Sequence, residues 1–200
     1  MHAGGETPAP PYQTANVETW NGSAWTEVGD LNSAKYANRG FGSTTAGLIF
    51  GGANTTPSTL AETESWNGSS WTEVNDLNTA RYSMGSTVSA GQSSGQAMGG
   101  LNPGYAQTES WDGTNWTEVA AMATGRGSGA GFGVSNSGVV AGGSTTASSP
   151  TRVTTTEEFT LTPSTASTLI EGQMWFNSSS STLKGYGTAA GIPAATWASG

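Results

Sequence analysis

The sequence predicts an all-β fold assembled from repeats, and three observations predict it. A motif carrying two tryptophans recurs three times at a period of about 45 residues. Asn-Gly or Asp-Gly stands between the tryptophans of every copy, and a Gly pair closes each one, so turn signals come at short intervals. The composition is rich in Gly, Ser, Thr and aromatic residues, which suits short strands joined by many turns. Only 10% of the residues are charged, but eight tryptophans at ordered positions provide a core that disordered chains lack.

The first element of each copy is a hairpin. Glu18-Thr19-Trp20-Asn21-Gly22-Ser23-Ala24-Trp25-Thr26-Glu27-Val28 recurs as Glu64-Ser65-Trp66-Asn67-Gly68-Ser69-Ser70-Trp71-Thr72-Glu73-Val74. The third copy is Glu109-Ser110-Trp111-Asp112-Gly113-Thr114-Asn115-Trp116-Thr117-Glu118-Val119. Asn-Gly and Asp-Gly supply the positive φ angles of a tight turn, so the tryptophans of each pair flank it on opposing strands. An apolar residue follows, at Leu31, Leu77 and Met122, and four residues later a basic one, at Lys35, Arg81 and Arg126. A Gly-rich apolar stretch then ends in Gly51-Gly52, Gly99-Gly100 and Gly142-Gly143. Glycine at these points allows backbone to approach backbone closely.

This order of Glu-x-Trp, Trp, basic residue and Gly pair resembles the kelch repeat over about residues 4 to 160. The resemblance implies four-stranded blades set radially as a β-propeller. Three full blades and part of a fourth are expected in residues 1–160, with repeats at about 6–52, 53–100 and 101–143 and a partial one at 144–160. Gly4-Gly5 precedes Trp20 much as Gly51-Gly52 precedes Trp66, so the chain is expected to start at the close of a repeat. Glu157-Glu158-Phe159 opens the fourth copy, with Phe in the Trp place.

Residues 161–200 are expected to form a C-terminal hairpin segment, which either completes a fourth blade or leads to further repeats. Its arms are Met174-Trp175-Phe176-Asn177 and Leu183-Lys184-Gly185-Tyr186, with a Ser/Thr tip. This segment resembles a hairpin of bacteriophage tail-fibre and virion surface proteins. Together with the repeats it is similar to kelch-bearing virion proteins of marine phages.

Charge and residue chemistry narrow the function. The net charge is −8, and the six basic residues do not cluster, so the positive footprint of a nucleic-acid binder is absent. No stretch has the apolar length of a membrane-spanning helix. There is no Cys, and the single His is His2 near the start. No nucleophile–base triad or Zn site of the usual kind is therefore expected, and no metal or cofactor. Carboxylates recurring at equivalent places in each repeat are read as structural, so the chain is expected not to be an enzyme.

Glu18, Glu64, Glu109 and Glu158 are assigned to the Glu-x-aromatic strands, and Lys35, Arg81 and Arg126 to the strands after the tryptophans. Pairs between them would specify register; a ligand-binding ring of Arg is the alternative. Trp20, Trp25, Trp66, Trp71, Trp111 and Trp116 are expected to pack between blades, with a sugar-stacking surface as the alternative. The loops 6–17, 53–63, 101–108 and 144–156 vary while their frame stays constant, and variable loops on a fixed scaffold carry function. Tyr12 and Tyr105, their large aromatics, are the candidate ligand-binding residues. The function expected is a structural or binding module of a virion surface or tail fibre. Its partners would be further copies of itself, other virion proteins or a host surface glycan. An interaction domain of a secreted or cell-surface bacterial protein is the alternative, so the expected location is the virion surface or the extracellular space.

Overall fold

The computed structural model describes residues 1–55, 58–88, 91–101, 106–145 and 151–160, with the backbone of 174–177 and 182–185. The chain divides into two compact units, Met1–Leu161 and Thr162–Gly200. Among the described residues every regular element is a β-strand.

Among the described residues the first unit holds four antiparallel sheets, each a simple meander. The first is β1 (His2–Glu6), β2 (Gln13–Trp20) and β3 (Trp25–Val28). The second is β4 (Arg39–Gly42), β5 (Gly47–Phe50), β6 (Thr63–Trp66) and β7 (Trp71–Val74). The third repeats this plan with β8 (Gly85–Ser86), β9 (Gly95–Met98), β10 (Thr108–Trp111) and β11 (Trp116–Val119). The fourth is β12 (Ala130–Val134), β13 (Ser137–Ala141) and β14 (Thr156–Thr160). The first strands of the later sheets lie side by side, β4 against β8 and β8 against β12.

The Trp hairpins form as the sequence dictates. Trp20 faces Trp25, Trp66 faces Trp71 and Trp111 faces Trp116 across the strand pair. Their rings meet at 5.6, 5.1 and 5.3 Å in tilted contact, the offset geometry that aromatic quadrupoles favour. In the turn, the Asn67 side-chain oxygen accepts from the Ser69 and Ser70 amides at 2.9 and 3.0 Å. Gly68 takes the positive φ of 97°, which a side chain would resist.

The count of blades differs from expectation. Three full four-stranded blades and part of a fourth were expected, whereas two four-stranded sheets stand between two three-stranded ones. The reason is phase. A repeat counted from Glu-x-Trp to the Gly pair begins in the middle of a sheet, so its first two strands close one sheet and its last two open the next. Repeat 53–100 thus supplies β6 and β7 to the second sheet and β8 and β9 to the third.

Apolar burial lies between sheets. Phe41, Phe50, Leu77, Met84 and Ala97 pack with Trp111 and Trp116 in one cluster. Val17, Leu31, Trp66 and Trp71 form another. Phe50 meets the Trp116 ring at 4.8 Å, edge to face. A single sheet of this size cannot cover both its faces, so each joint between neighbours is where the hydrophobic gain accrues.

In the second unit, β15 (Met174–Asn177) pairs antiparallel with β16 (Thr182–Gly185), opposing Met174 to Gly185 and Trp175 to Lys184. The second arm includes Thr182 before the expected start at Leu183, and Tyr186 of the expected arm lies outside the described residues.

Candidate functional site

The recurring basic residues occupy the joints between sheets. Lys35, Arg81 and Arg126 lie in the linkers between β3 and β4, β7 and β8, and β11 and β12, not on the strands after the tryptophans as expected. Each linker backbone binds the sheet it leaves: the Lys35, Arg81 and Arg126 carbonyls accept from the amides of Gly5, Gly52 and Gly100 at 2.8, 3.0 and 2.9 Å. Each side chain then reaches the sheet that follows. The Lys35 ammonium donates to Glu64 Oε1 at 2.8 Å, and Arg81 Nη2 to Glu109 Oε1 at 2.8 Å. One residue therefore fastens two sheets.

Arg126 corrects the expected acid. Its guanidinium pairs with Glu157, while Glu158 is exposed. Register explains this. Glu157 faces Val140 two residues before the Gly pair, as Glu64 faces Ile49 and Glu109 faces Ala97. Phe159 then falls two residues after Glu157, as Trp does in the other copies.

The other carboxylate oxygen is also held. Glu64 Oε2 accepts from the backbone and side-chain nitrogens of Asn32 at 2.7 and 2.9 Å. Glu109 Oε2 accepts from those of Asn78, both at 2.8 Å. In the third linker Ala123 stands at this place, and its amide donates to Glu157 at 2.6 Å. Sequence reasoning missed Asn32 and Asn78, although Asn directly after Leu in two copies was a readable signal. It also missed Ala37, Ser83 and Ser128, which share positive φ of 52°, 54° and 56°. The Ser83 amide donates to the Ala37 carbonyl at 2.8 Å and that of Ser128 to Ser83 at 2.7 Å. Ser stands there in two copies and Ala in one, neither of them a residue that marks a positive φ as Gly or Asn does, so the strained backbone, sustained by bonds between linkers, was not readable in the sequence.

The side chains of Lys35, Arg81 and Arg126 have no exposed surface. Arg81 Nη1 also donates to the Gly99 and Gln107 carbonyls at 2.9 and 2.7 Å. Burial pushes its guanidinium below the ordinary value, and the charge and hydrogen bond of Glu109 act in the opposite direction. Lys35 has no planar fork to reach two carbonyls and takes a second carboxylate, Glu62, at 3.0 Å. Burial acts to raise the Glu62 pKa, but hydrogen bonds from Ser33 and Lys35 and the Lys35 charge outweigh it and leave it lowered. Protein groups thus occupy these cations, which leaves them no surface for a ligand-binding ring.

The Gly pairs sit against the same linkers. Gly51 has φ of 60°, and a Cβ there would meet Met84 Cε at 2.4 Å and the Arg81 carbonyl oxygen at 2.6 Å. Gly52, Gly99, Gly100, Gly142 and Gly143 share the positive φ. The close approach that glycine permits is to the linker of the adjoining joint.

The tryptophans divide into two groups. Trp66, Trp71, Trp111 and Trp116 are buried. Trp66 Nε1 donates to the Thr44 carbonyl in its own sheet at 3.0 Å, whereas Trp71 Nε1 reaches the Gly29 carbonyl beyond the first sheet at 2.9 Å. Trp111 and Trp116 follow suit, donating to the Gln92 carbonyl at 2.9 Å and Thr63 Oγ1 at 3.1 Å. Trp20 and Trp25 were expected in the core, yet they are 46% and 53% exposed. Among the described residues the first sheet has no strand inside β1 and no sheet before it, so the groups that cover the other pairs have no counterpart among them.

Of the candidate ligand-binding residues, Tyr12 is 49% exposed with φ of 63°. Its loop touches the next one, where the Thr55 amide donates to Gln13 Oε1 at 2.6 Å. Tyr105 lies outside the described residues. Among the described residues no three His, Cys, Asp or Glu side chains come together as a metal-binding group. No protein-family model matches the chain, and no curated protein matches its sequence.

Proposed function

We propose that the chain is a non-enzymatic module of kelch-type blades that works by binding, on the surface or tail fibre of a phage particle. One observation carries this reading. The side chains with repeated chemistry, Lys35, Arg81, Arg126 and their glutamates, are taken up in joining sheets, while the connecting loops differ from copy to copy. A fixed frame with variable loops is the arrangement of a recognition surface. The exposed Tyr12 at a contact between two loops is the residue through which a host glycan would be held, by stacking of a sugar face on its ring.

The test is an array of bacterial surface polysaccharides probed with the purified chain, run beside an assay for released reducing ends. Binding without release, weakened by Tyr12→Ala, is the expected result. Release of reducing ends, or absence of binding to any polysaccharide, contradicts the reading. Antibody labelling of intact particles locates the chain: decoration of the particle exterior is expected, and labelling confined to a bacterial envelope favours a cell-surface interaction domain.

A further inference from the structure

Three features of the first sheet converge on one place. Glu18 faces His2 as Glu64 faces Ile49, yet among the described residues no basic side chain pairs with it. Among the described residues the strand β1 pairs with β2 alone, whereas its counterparts β5, β9 and β13 each lie between two strands. Beside β1, a cavity of about 340 Å³ opens between Met1 and Ala3 on one side and Gly47, Leu48 and Trp71 on the other.

The neighbouring joints show what fits there. Gly95 occupies in the third sheet the position of Gly47 in the second, each facing the first Trp of its pair. Over Gly95 lies the Phe41 ring from the inner strand of the preceding sheet, at 2.3 Å from where a Cβ would stand. Over Gly138, the same position in the fourth sheet, lie Gln96 and Thr87. Over Gly47 the nearest atoms belong to its own sheet, the closest being the Ser43 carbonyl oxygen at 3.4 Å. The hollow above Gly47 is therefore shaped for an inner-strand side chain such as Phe41.

We propose that this edge is a docking site for a second polypeptide, which presents a linker and inner strand of the kind this chain uses at its own joints. The partner segment reads Leu-Asn-x-x-Lys/Arg, with an aromatic residue six positions after the cation. Its cation pairs with Glu18, its Asn binds the other oxygen of that carboxylate, and its strand adds to β1 through main-chain hydrogen bonds. Its aromatic ring fills the hollow over Gly47, and the turn that follows covers Trp20, as the Thr44 turn covers Trp66. Charge complementarity selects this occupant, since Glu64, Glu109 and Glu157 each hold a buried cation from such a linker. A second copy of this chain is the poorer fit, because its three linkers are already engaged within it. This goes beyond the glycan binding of the proposed function and does not rest on it. Glycan binding is read at the loop face and this site at an edge strand, so either test can fail alone.

The experiment titrates a peptide with the sequence of residues 31–47 into the full chain, following heat release and Trp emission. Saturable binding with a blue shift from Trp20 is expected. Glu18→Lys, a change at an exposed position, should weaken binding by about tenfold or more, and a peptide carrying Lys35→Glu should restore it. Replacing Phe41 by Ser in the peptide should also weaken binding. A covalent version places residues 31–47 directly before Met1, in the register that sets Met1 where Leu48 stands in the second sheet. It should raise Tm, and the same graft with Lys35→Glu should not. Absence of binding together with an unchanged Tm would overturn the proposal. So would self-association of the unaltered chain that Glu18→Lys abolishes, since a second copy would then be the occupant.

Discussion

Arg81 and Lys35 do the same work with different chemistry, and the difference shows what the joint requires. The guanidinium reaches two backbone carbonyls and Glu109, while the ammonium needs both Glu62 and Glu64. A buried ion pair adds little net stability over an apolar pair of equal volume, but removing one partner leaves an uncompensated charge. Arg81→Met and Glu109→Gln should each cost about 3–5 kcal/mol in urea unfolding. The double variant should fall short of the sum by about 2–3 kcal/mol; simple additivity would deny the pair its role.

Asp112 permits a pH test at the same scale. Hydrogen bonds from the Asn115 and Thr114 amides hold its carboxyl below the usual carboxylate range. A folded pKa below the unfolded one means that the stabilisation is present above the unfolded value, about 3.9. It is lost as pH falls through the folded value. Asn fills this place at Asn21 and Asn67 and accepts the same bonds without titrating. Asp112→Asn should therefore fold as well at pH 7 and lose less stability below about pH 4, as measured by Tm against pH. Identical acid profiles would count against the turn as the source of the shift.

At the scale of the element, the Trp hairpin is one motif in two environments. Trp71→Ala should cost about 3–5 kcal/mol, because the ring is packed between sheets and its Nε1 is bonded to Gly29. Trp25→Ala removes the equivalent residue from an exposed face and should cost under about 1 kcal/mol. Chemical denaturation of both variants compares them directly, and equal losses would mean that the hairpin itself, not the joint, carries the energy. The same contrast marks how far the sequence could be read. Turn chemistry and pairing are local, so the hairpins, the Gly pairs and the acid–base recurrence were legible in the residues. Sheet membership is not local, so the strand count per sheet and the exposure of Trp20 and Trp25 were not. Glu157 was legible in the Glu-x-aromatic spacing, but the adjacent Glu158 obscured it. The linker residues Ala37, Ser83 and Ser128 owe their conformation to neighbouring linkers, which no single segment of sequence reveals.

In the whole molecule, the sheets hold together through their linkers. The first two linkers contribute Leu31 and Leu77 to the core, and all three give a carbonyl to a Gly pair and a cation to the next sheet, so losing one should loosen both neighbours. In repeat architectures stability is shared between unit and interface, and sheets of three or four short strands leave most of it to the interface. Hydrogen exchange on Arg81→Ala tests this most directly. The account predicts that amide protection falls together in β5 and β6 of the second sheet and in β9 and β10 of the third, with β1 and β2 of the first sheet less affected. Loss of protection confined to residues 77–84, with both adjoining sheets unchanged, would contradict it.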